Sequence, residues 1–180
     1  SLPTGGPDYK TPLIKSEDGI NWTSVYTNMV DTHIKDIVWN GTRFVAATAY
    51  GGAIYKYSSD GITWTGRAAG IAERVTCIGW NGSIFVAGCN SASSFRIITS
   101  SDGITWTGRS TSAIGNVPSS VIWDGSKWTM LASATPFLAY SYDGISWTGK
   151  AAFIQFSDIA TRLGGNYPSV VKVYDKSAQS

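Results

Sequence analysis

One nine-residue stretch is written four times in this chain, and that repetition limits the fold more than any other feature. SEDGINWTS, SSDGITWTG, SSDGITWTG and SYDGISWTG place their aspartates at Asp18, Asp60, Asp102 and Asp143, spaced by 42, 42 and 41 residues. A fixed period of that size marks a repeat architecture, in which each unit is one supersecondary element that must stack on its neighbours. The stretch DIVWNGTRFVAATAYGGAIYKYSSDGITWTGR shows what the unit is. It predicts a strand to Trp39, an Asn-Gly turn, a strand from Arg43 to Thr48, a Gly-rich loop, a strand from Ala53 to Ser58, an Asp-Gly turn and a strand from Thr63 to Arg67. Asn-Gly and Asp-Gly between alternating apolar runs are the strongest short-range hairpin signals.

The next two units repeat this order, with Trp80 and Phe85 in the places of Trp39 and Phe44, then Trp123 and Trp128 with Asp-Gly replacing Asn-Gly. Residues 1–8 read as a loose lead-in. TPLIKS and NWTSVY then flank the first box, as the last two strands of a unit. At the other end FIQFSDIATRLGGNYPSVVKVYDKS offers the first two strands of a unit and no further box. The chain is therefore expected to be one all-β domain over 1–180, a small β-propeller of four four-stranded blades. Pairing of the N- and C-terminal strands would close the ring and protect the strand edges. A partial ring of a larger propeller is the alternative.

Within each box the aspartate and glycine suit a reversal of the chain, since Gly takes positive φ freely and a carboxylate accepts hydrogen bonds from the turn's own N–H groups. Ser16, Ser58, Ser100 and Ser141 stand two residues before each aspartate, where a hydroxyl can tie the strand end to the turn. Gly19, Gly61, Gly103 and Gly144 follow the aspartates. Ile20, Ile62, Ile104 and Ile145 are expected to point back under the turn, and Trp22, Trp64, Trp106 and Trp147 to bury a ring against the neighbouring strand.

This Ser-x-Asp-Gly-x-Thr-Trp pattern resembles the Asp-box, the BNR-type repeat of sialidases and many other β-propellers, whose usual form has one more residue between Asp and Gly. The recurring W-N-G-x-x-F-V-A element is similar to what bacterial and viral, including phage-borne, Asp-box proteins carry. The resemblance implies that the box is a structural turn on the face away from the ligand site. Repeated Trp and Tyr on a rigid ring, with no convergent acid, base or nucleophile, suit a carbohydrate-binding, lectin-like or structural role.

A sialidase would need an arginine triad, a Tyr and Glu pair and an acid aspartate on one face. Phe95, Arg96 and Ile97 resemble the start of the sialidase Phe-Arg-Ile-Pro motif, but Ile98 replaces its proline, and sialidase rings are similar to six-bladed ones about twice this length. His33 has no Cys at zinc-ligand spacing and no G-x-S-x-G serine, and is expected to be an exposed loop residue. Glu17 and Asp18 resemble a fragment of a calcium loop without its further ligands. No catalytic residue, metal or cofactor is expected. The sequons at Asn21, Asn40 and Asn81 read as turn chemistry.

Charged residues make up 14% of the chain and the net charge is +2, which argues against a nucleic-acid groove. The longest apolar runs are too short to cross a bilayer as a helix, so no membrane insertion is expected. Cys77 and Cys89 fall on adjacent strands of one hairpin, with Cys77 facing Val86, Ala87 or Gly88, so a disulfide is not expected.

Strand polarity puts the box turns and the Asn-Gly turns on one face. The other is built from loops 48–53, 67–74, 89–94, 109–118 and 133–137. These supply the candidate ligand residues Tyr50, Asn90, Ser93, Thr135 and Phe137, with Arg67, Arg109 and Lys150 recurring just after three of the boxes. The reading is a non-enzymatic module for glycan or protein recognition, extracellular or on a virion surface, such as a tail or capsid component of a phage or virus. A sialidase-like glycoside hydrolase is one alternative. A homo-oligomeric or virion assembly subunit is the other.

Overall fold

The computed structural model describes residues 13–16, 18–25, 27, 33–48, 55–67, 74–90, 95–109, 112–115 and 117–150. A first sheet is a hairpin of β1 (Leu13–Lys15) and β2 (Thr23–Val25). The second sheet runs β3 (Ile34–Trp39), β4 (Phe44–Thr48), β5 (Tyr55–Ser58) and β6 (Thr65–Arg67). The third runs β7 (Val75–Trp80), β8 (Phe85–Cys89), β9 (Ile97–Ser100) and β10 (Thr107–Gly108). The fourth runs β11 (Pro118–Trp123), β12 (Trp128–Ala132), β13 (Leu138–Ser141) and β14 (Thr148–Lys150). Every pairing is antiparallel between consecutive strands, and no helix occurs among the described residues.

The arrangement is propeller-like. Innermost strand β3 packs beside β7, and β7 beside β11. Alternation along the strands gives the second and third sheets two apolar faces, and each face meets a different neighbour. Val45, Ala47 and Tyr55 of the second sheet close one core with Ile78, Phe85, Ala87, Ile98 and Trp106 of the third. Cys77, Val86 and Ile97, on the third sheet's other face, close the next with Val121, Trp128, Met130 and Ala139 of the fourth. Leu13 of β1 packs on Ala46 and Trp64 of the second sheet. The expected closure of the ring falls on residues 151–180, outside the described residues.

The two cysteines lie in different cores, because Cys77 pairs with Gly88 while Cys89 pairs with Val75. Both are free and buried, and burial pushes the Cys77 thiol up to about 12 and raises Cys89 as well. Each innermost strand also carries a bulge at one repeat position, at Lys35, Thr76 and Ser119, which the sequence reading did not foresee. Polar side chains beside the bulges link the sheets one period apart. Asp36 Oδ2 accepts the Ile78 N–H at 3.0 Å, and Thr76 Oγ1 donates to the Pro118 carbonyl at 2.6 Å.

Several expectations need correction. Strands β4 and β6 begin one and two residues later than read, because the Arg43 N–H is taken by Asn40 Oδ1 and the Thr63 N–H by Asp60 Oδ1, both at 2.8 Å. The isoleucines do not fold back under the turns. Ile20 is 81% exposed, Ile62 and Ile145 are exposed too, and only Ile104 is half-buried. Their N–H groups are held by the aspartates while the side chains project outward. Trp64 and Trp106 are buried and Trp147 half-buried, but Trp22 is 57% exposed; among the described residues its sheet is the two-stranded hairpin of β1 and β2.

Candidate binding face

The turn face fixes the frame. In each box the serine hydroxyl donates to the aspartate Oδ1, at 2.9 Å for Ser16 to Asp18, 2.8 Å for Ser58 to Asp60, 2.8 Å for Ser100 to Asp102 and 2.9 Å for Ser141 to Asp143. The glycine N–H returns to the serine oxygen, and the next two N–H groups converge on the same Oδ1. Gly19, Gly61, Gly103 and Gly144 sit at φ of 73°, 72°, 73° and 74°, a region that favours glycine. Trp64 and Trp147 donate their indole N–H groups to the Gly61 and Gly144 carbonyls at 3.0 and 2.9 Å. Four turns of one shape are thus fixed by nine residues each.

Those hydrogen bonds hold the charged form of every turn carboxylate. Asp60 is drawn down to about 2 by the Ile62 and Thr63 N–H groups and the Ser58 hydroxyl, and Asp143 to about 2 mainly by the Ser146 N–H. Asp18 is lowered by the N–H groups of Asn21 and Ile20. Burial works against Asp102 and Asp124, yet both stay below the usual range. For Asp102 the Thr105 N–H does this, and for Asp124 the Lys127 ammonium 2.8 Å away. Asp36 is the exception: burial raises it although two N–H groups bind it. Five of the six described acidic residues therefore stand in turns at one end of the sheets.

Arg74, Arg96 and Arg109 stand at the other end, while Arg43 and Lys127 belong to the turn end. In the third sheet, hydrogen bonds between neighbouring strand ends line up Arg74, Asn90, Arg96 and Arg109. Asn90 N–H donates to the Arg74 carbonyl at 2.8 Å, Cys89 N–H to Arg96 at 2.8 Å and Arg109 N–H to Ile97 at 2.7 Å. Arg109 Nε also donates to Thr99 Oγ1 at 2.9 Å, and Arg96 Nη1 to the Ile114 carbonyl at 3.2 Å. Ile114 belongs to a strap, residues 112–115, that crosses toward the fourth sheet. Its Gly115 N–H donates to Pro136 at 2.9 Å, beside the cis Thr135-Pro136 bond, and Ala132 N–H donates to Phe137 at 2.8 Å.

The structure thus brings Asn90, Arg109, Thr135 and Phe137 to one continuous end of the third and fourth sheets. Lys150 stands apart, its ammonium 5.7 Å from the Tyr140 ring centroid. Arg67 closes β6 opposite Tyr55. Tyr50 and Ser93 lie outside the described residues. The sequence does not mark Arg74, or the coupling of Arg96 to the strap, as binding features: Arg96 stands out there only within a sialidase-like motif, and nothing in the spacing brings residue 96 to residue 114. His33 is exposed just ahead of β3, and among the described residues no group of three metal-ligating side chains occurs. Neither a comparison with protein-family models nor one with curated proteins finds a match to this chain.

Proposed function

We propose that this chain is a non-enzymatic recognition module of the Asp-box propeller type that binds a glycan through the loop end of its third and fourth sheets. The observation that carries the reading is the row of Arg74, Arg96 and Arg109 at one end of the third sheet, opposite the end where the described turn carboxylates are locked. A guanidinium offers five N–H donors in a fixed plane, and those of Arg96 and Arg109 are oriented by Ile114 and Thr99, each through one of them. Hydroxyl- and carboxylate-bearing sugars match that donor surface, as on a cell-surface target of a virus or phage particle.

The test is a glycan array run beside a fluorogenic sialoside assay, with wild type, Arg96→Ala and Arg109→Ala. Saturable binding without turnover, weakened by either substitution, is expected. Turnover abolished by Arg96→Ala would replace the reading with a glycosidase. Binding that ignores both arginines would move the site elsewhere.

The same reading includes four blades. β1 and β2 correspond in repeat position to the third and fourth strands of the other sheets, so their sheet has no inner pair among the described residues, and residues 151–180 carry the sequence for one. The exposed flank of β3 supports this. Ile37 is 37% exposed, whereas its repeat equivalents Ile78 and Val121 are 5% and 8% exposed because a preceding sheet covers them. Deleting residues 169–180 is expected to lower the melting temperature and promote association through bare strand edges. A truncated protein that stays monomeric and melts as before would refute closure.

A further inference from the structure

Two of the three turns between first and second strands contain asparagine directly before glycine, and the third contains aspartate. All three have one shape. Gly41, Gly82 and Gly125 sit at φ of 98°, 98° and 97°. Asn40 Oδ1 accepts the N–H groups of Thr42 and Arg43 at 3.0 and 2.8 Å, and Asn81 Oδ1 those of Ser83 and Ile84 at 2.9 and 2.8 Å. Asp124 Oδ1 accepts those of Ser126 and Lys127, both at 2.9 Å. An amide oxygen and a carboxylate oxygen make the same turn.

We propose that Asn40 and Asn81 are modification sites, at which the side-chain amide is hydrolysed in place to a carboxylate that the turn accepts without changing shape. In the first step the Gly41 nitrogen, its proton lost to solvent base, attacks Asn40 Cγ. The new C–N bond forms as the Cγ–Nδ2 bond breaks, ammonia leaves, and a five-membered imide remains. Water then adds at Cγ and restores the Gly41 N–H, leaving a carboxylate where the amide was. Water enters, ammonia departs and nothing is oxidised or reduced.

Three features of the turns favour this chemistry. Glycine presents its nitrogen without a Cβ, and a side chain built at Gly41 or Gly82 would meet nothing within 4 Å. Gly41, Thr42, Gly82 and Ser83 are exposed to water. The two N–H groups on Oδ1 already stand at the distances that stabilise an oxygen gaining negative charge, as this one does when Cγ becomes tetrahedral. Water can also add at the other imide carbonyl, which inserts a methylene into the main chain. That product lengthens the four-residue link between the paired residues Trp39 and Phe44 and does not fit the turn.

The two sites differ in what the new charge meets. Lys127, three residues after Asp124, places its ammonium 2.8 Å from Oδ2. Arg43 occupies that position after Asn40 and now lies 5.7 Å from the Tyr57 ring centroid, whereas Ile84 occupies it after Asn81. Conversion at position 40 therefore creates an ion pair, and conversion at position 81 does not.

The full chain, held folded in mildly alkaline buffer, would be followed by peptide-mapping mass spectrometry with Asn90, which precedes Ser91, as the internal comparator. Asn40 and Asn81 are expected to convert on the order of tenfold faster than Asn90, since only they precede glycine. Equal rates would overturn the assignment. N40D and N81D, made directly, separate the product's fit from the reaction's speed. N40D is expected to melt at or above wild type in low salt, losing that advantage in high salt or with Arg43→Gln, while N81D melts at or slightly below wild type. An N40D protein that melts well below wild type, or ranks below N81D, would overturn the claim that the turn accepts the charge.

Discussion

The third sheet and the first share one turn motif and one turn geometry, and differ in almost everything that surrounds the turn. Gly103 and Gly19 both sit at φ 73°, and the serine to aspartate hydrogen bonds are 2.8 and 2.9 Å. Yet a Cβ at Gly103 would lie 2.6 Å from Val45 of the preceding sheet and 3.2 Å from Phe85 of its own, while one at Gly19 would meet nothing within 4 Å. The fourth sheet repeats the third, with Gly144 against Val86 and Trp128. The turn is thus a local product of nine residues. Its burial is a gift of the preceding sheet and of the inner strands of its own.

The sharpest way to probe that difference is the box tryptophan. Trp106 is 8% exposed, with its ring centroid 5.4 Å from that of Tyr55 and 6.2 Å from that of Phe85. Trp106→Ala is expected to cost about 3–5 kcal/mol in chemical denaturation, the usual range for emptying an aromatic site in a core. Trp22 has only β1 and β2 around it as described. If residues 151–180 complete that sheet as proposed, Trp22→Ala costs about 2 kcal/mol or more in the full chain; a cost under about 1 kcal/mol would sink completion.

Glycine substitutions divide the same contrast into strain and clash. Alanine at either position 19 or 103 must adopt positive φ, which costs about 1–2 kcal/mol. Gly103→Ala must also displace Val45, and overpacking adds about 1–3 kcal/mol. Equal losses at the two positions, measured by thermal unfolding, would mean that Val45 gives way freely or that Gly19 is covered as well.

These pairs also show what could be read from the chain and what could not. Turn positions and the serine to aspartate tie were legible because each depends on residues within nine positions of one another, and period and strand order because the same turns recur every 41 or 42 residues. Whether Ile20 or Trp22 is buried was not, since that depends on strands far along the chain. The bulges at Lys35, Thr76 and Ser119 leave no mark in the apolar alternation. Of the candidate face, its end of the sheets was legible from strand polarity. The coupling of Arg96 to Ile114 depends on how the strap packs, which spacing alone does not fix.

Acid titration separates the turns from Asp36, the one described carboxylate that bonds between sheets. Asp60 and Asp143 fall from 3.8 to about 2 on folding, so the stability they supply is complete above about pH 4 and is lost as pH drops toward 2. Asp36 runs the other way. Its pKa is raised by burial, so its charge burdens the fold at neutral pH and protonation relieves it. Denaturation midpoints between pH 5 and 2 should flatten in a protein with Asp60→Asn and Asp143→Asn, since an amide oxygen caps the Asn40 and Asn81 turns equally well. Asp36→Asn is expected to leave stability at pH 7 equal or higher; a large loss would show that the Ile78 contact needs the full charge.

The smallest expected change comes from a pair of substitutions that exchanges one sheet junction for another. Val38 of β3 packs against the core that holds Phe85, whereas at the next junction Gly79 of β7 faces Trp128, where a Cβ would lie 2.9 Å from the indole Cζ3. A small residue faces the large ring, and a larger residue faces the smaller one. Trp128 also keeps a buried indole N–H without a partner among the described residues, a burden that Phe44 and Phe85 at the same repeat position do not carry. Gly79→Val alone should destabilise by about 1–3 kcal/mol through overpacking, and Trp128→Phe alone by a similar amount through the space it leaves. Together they rebuild the junction of the second and third sheets at that of the third and fourth, so the double variant should fall within about 1 kcal/mol of wild type, with the difference appearing as coupling in a double-mutant cycle. Additive losses would mean that the two junctions are packed on different principles despite their common sequence period.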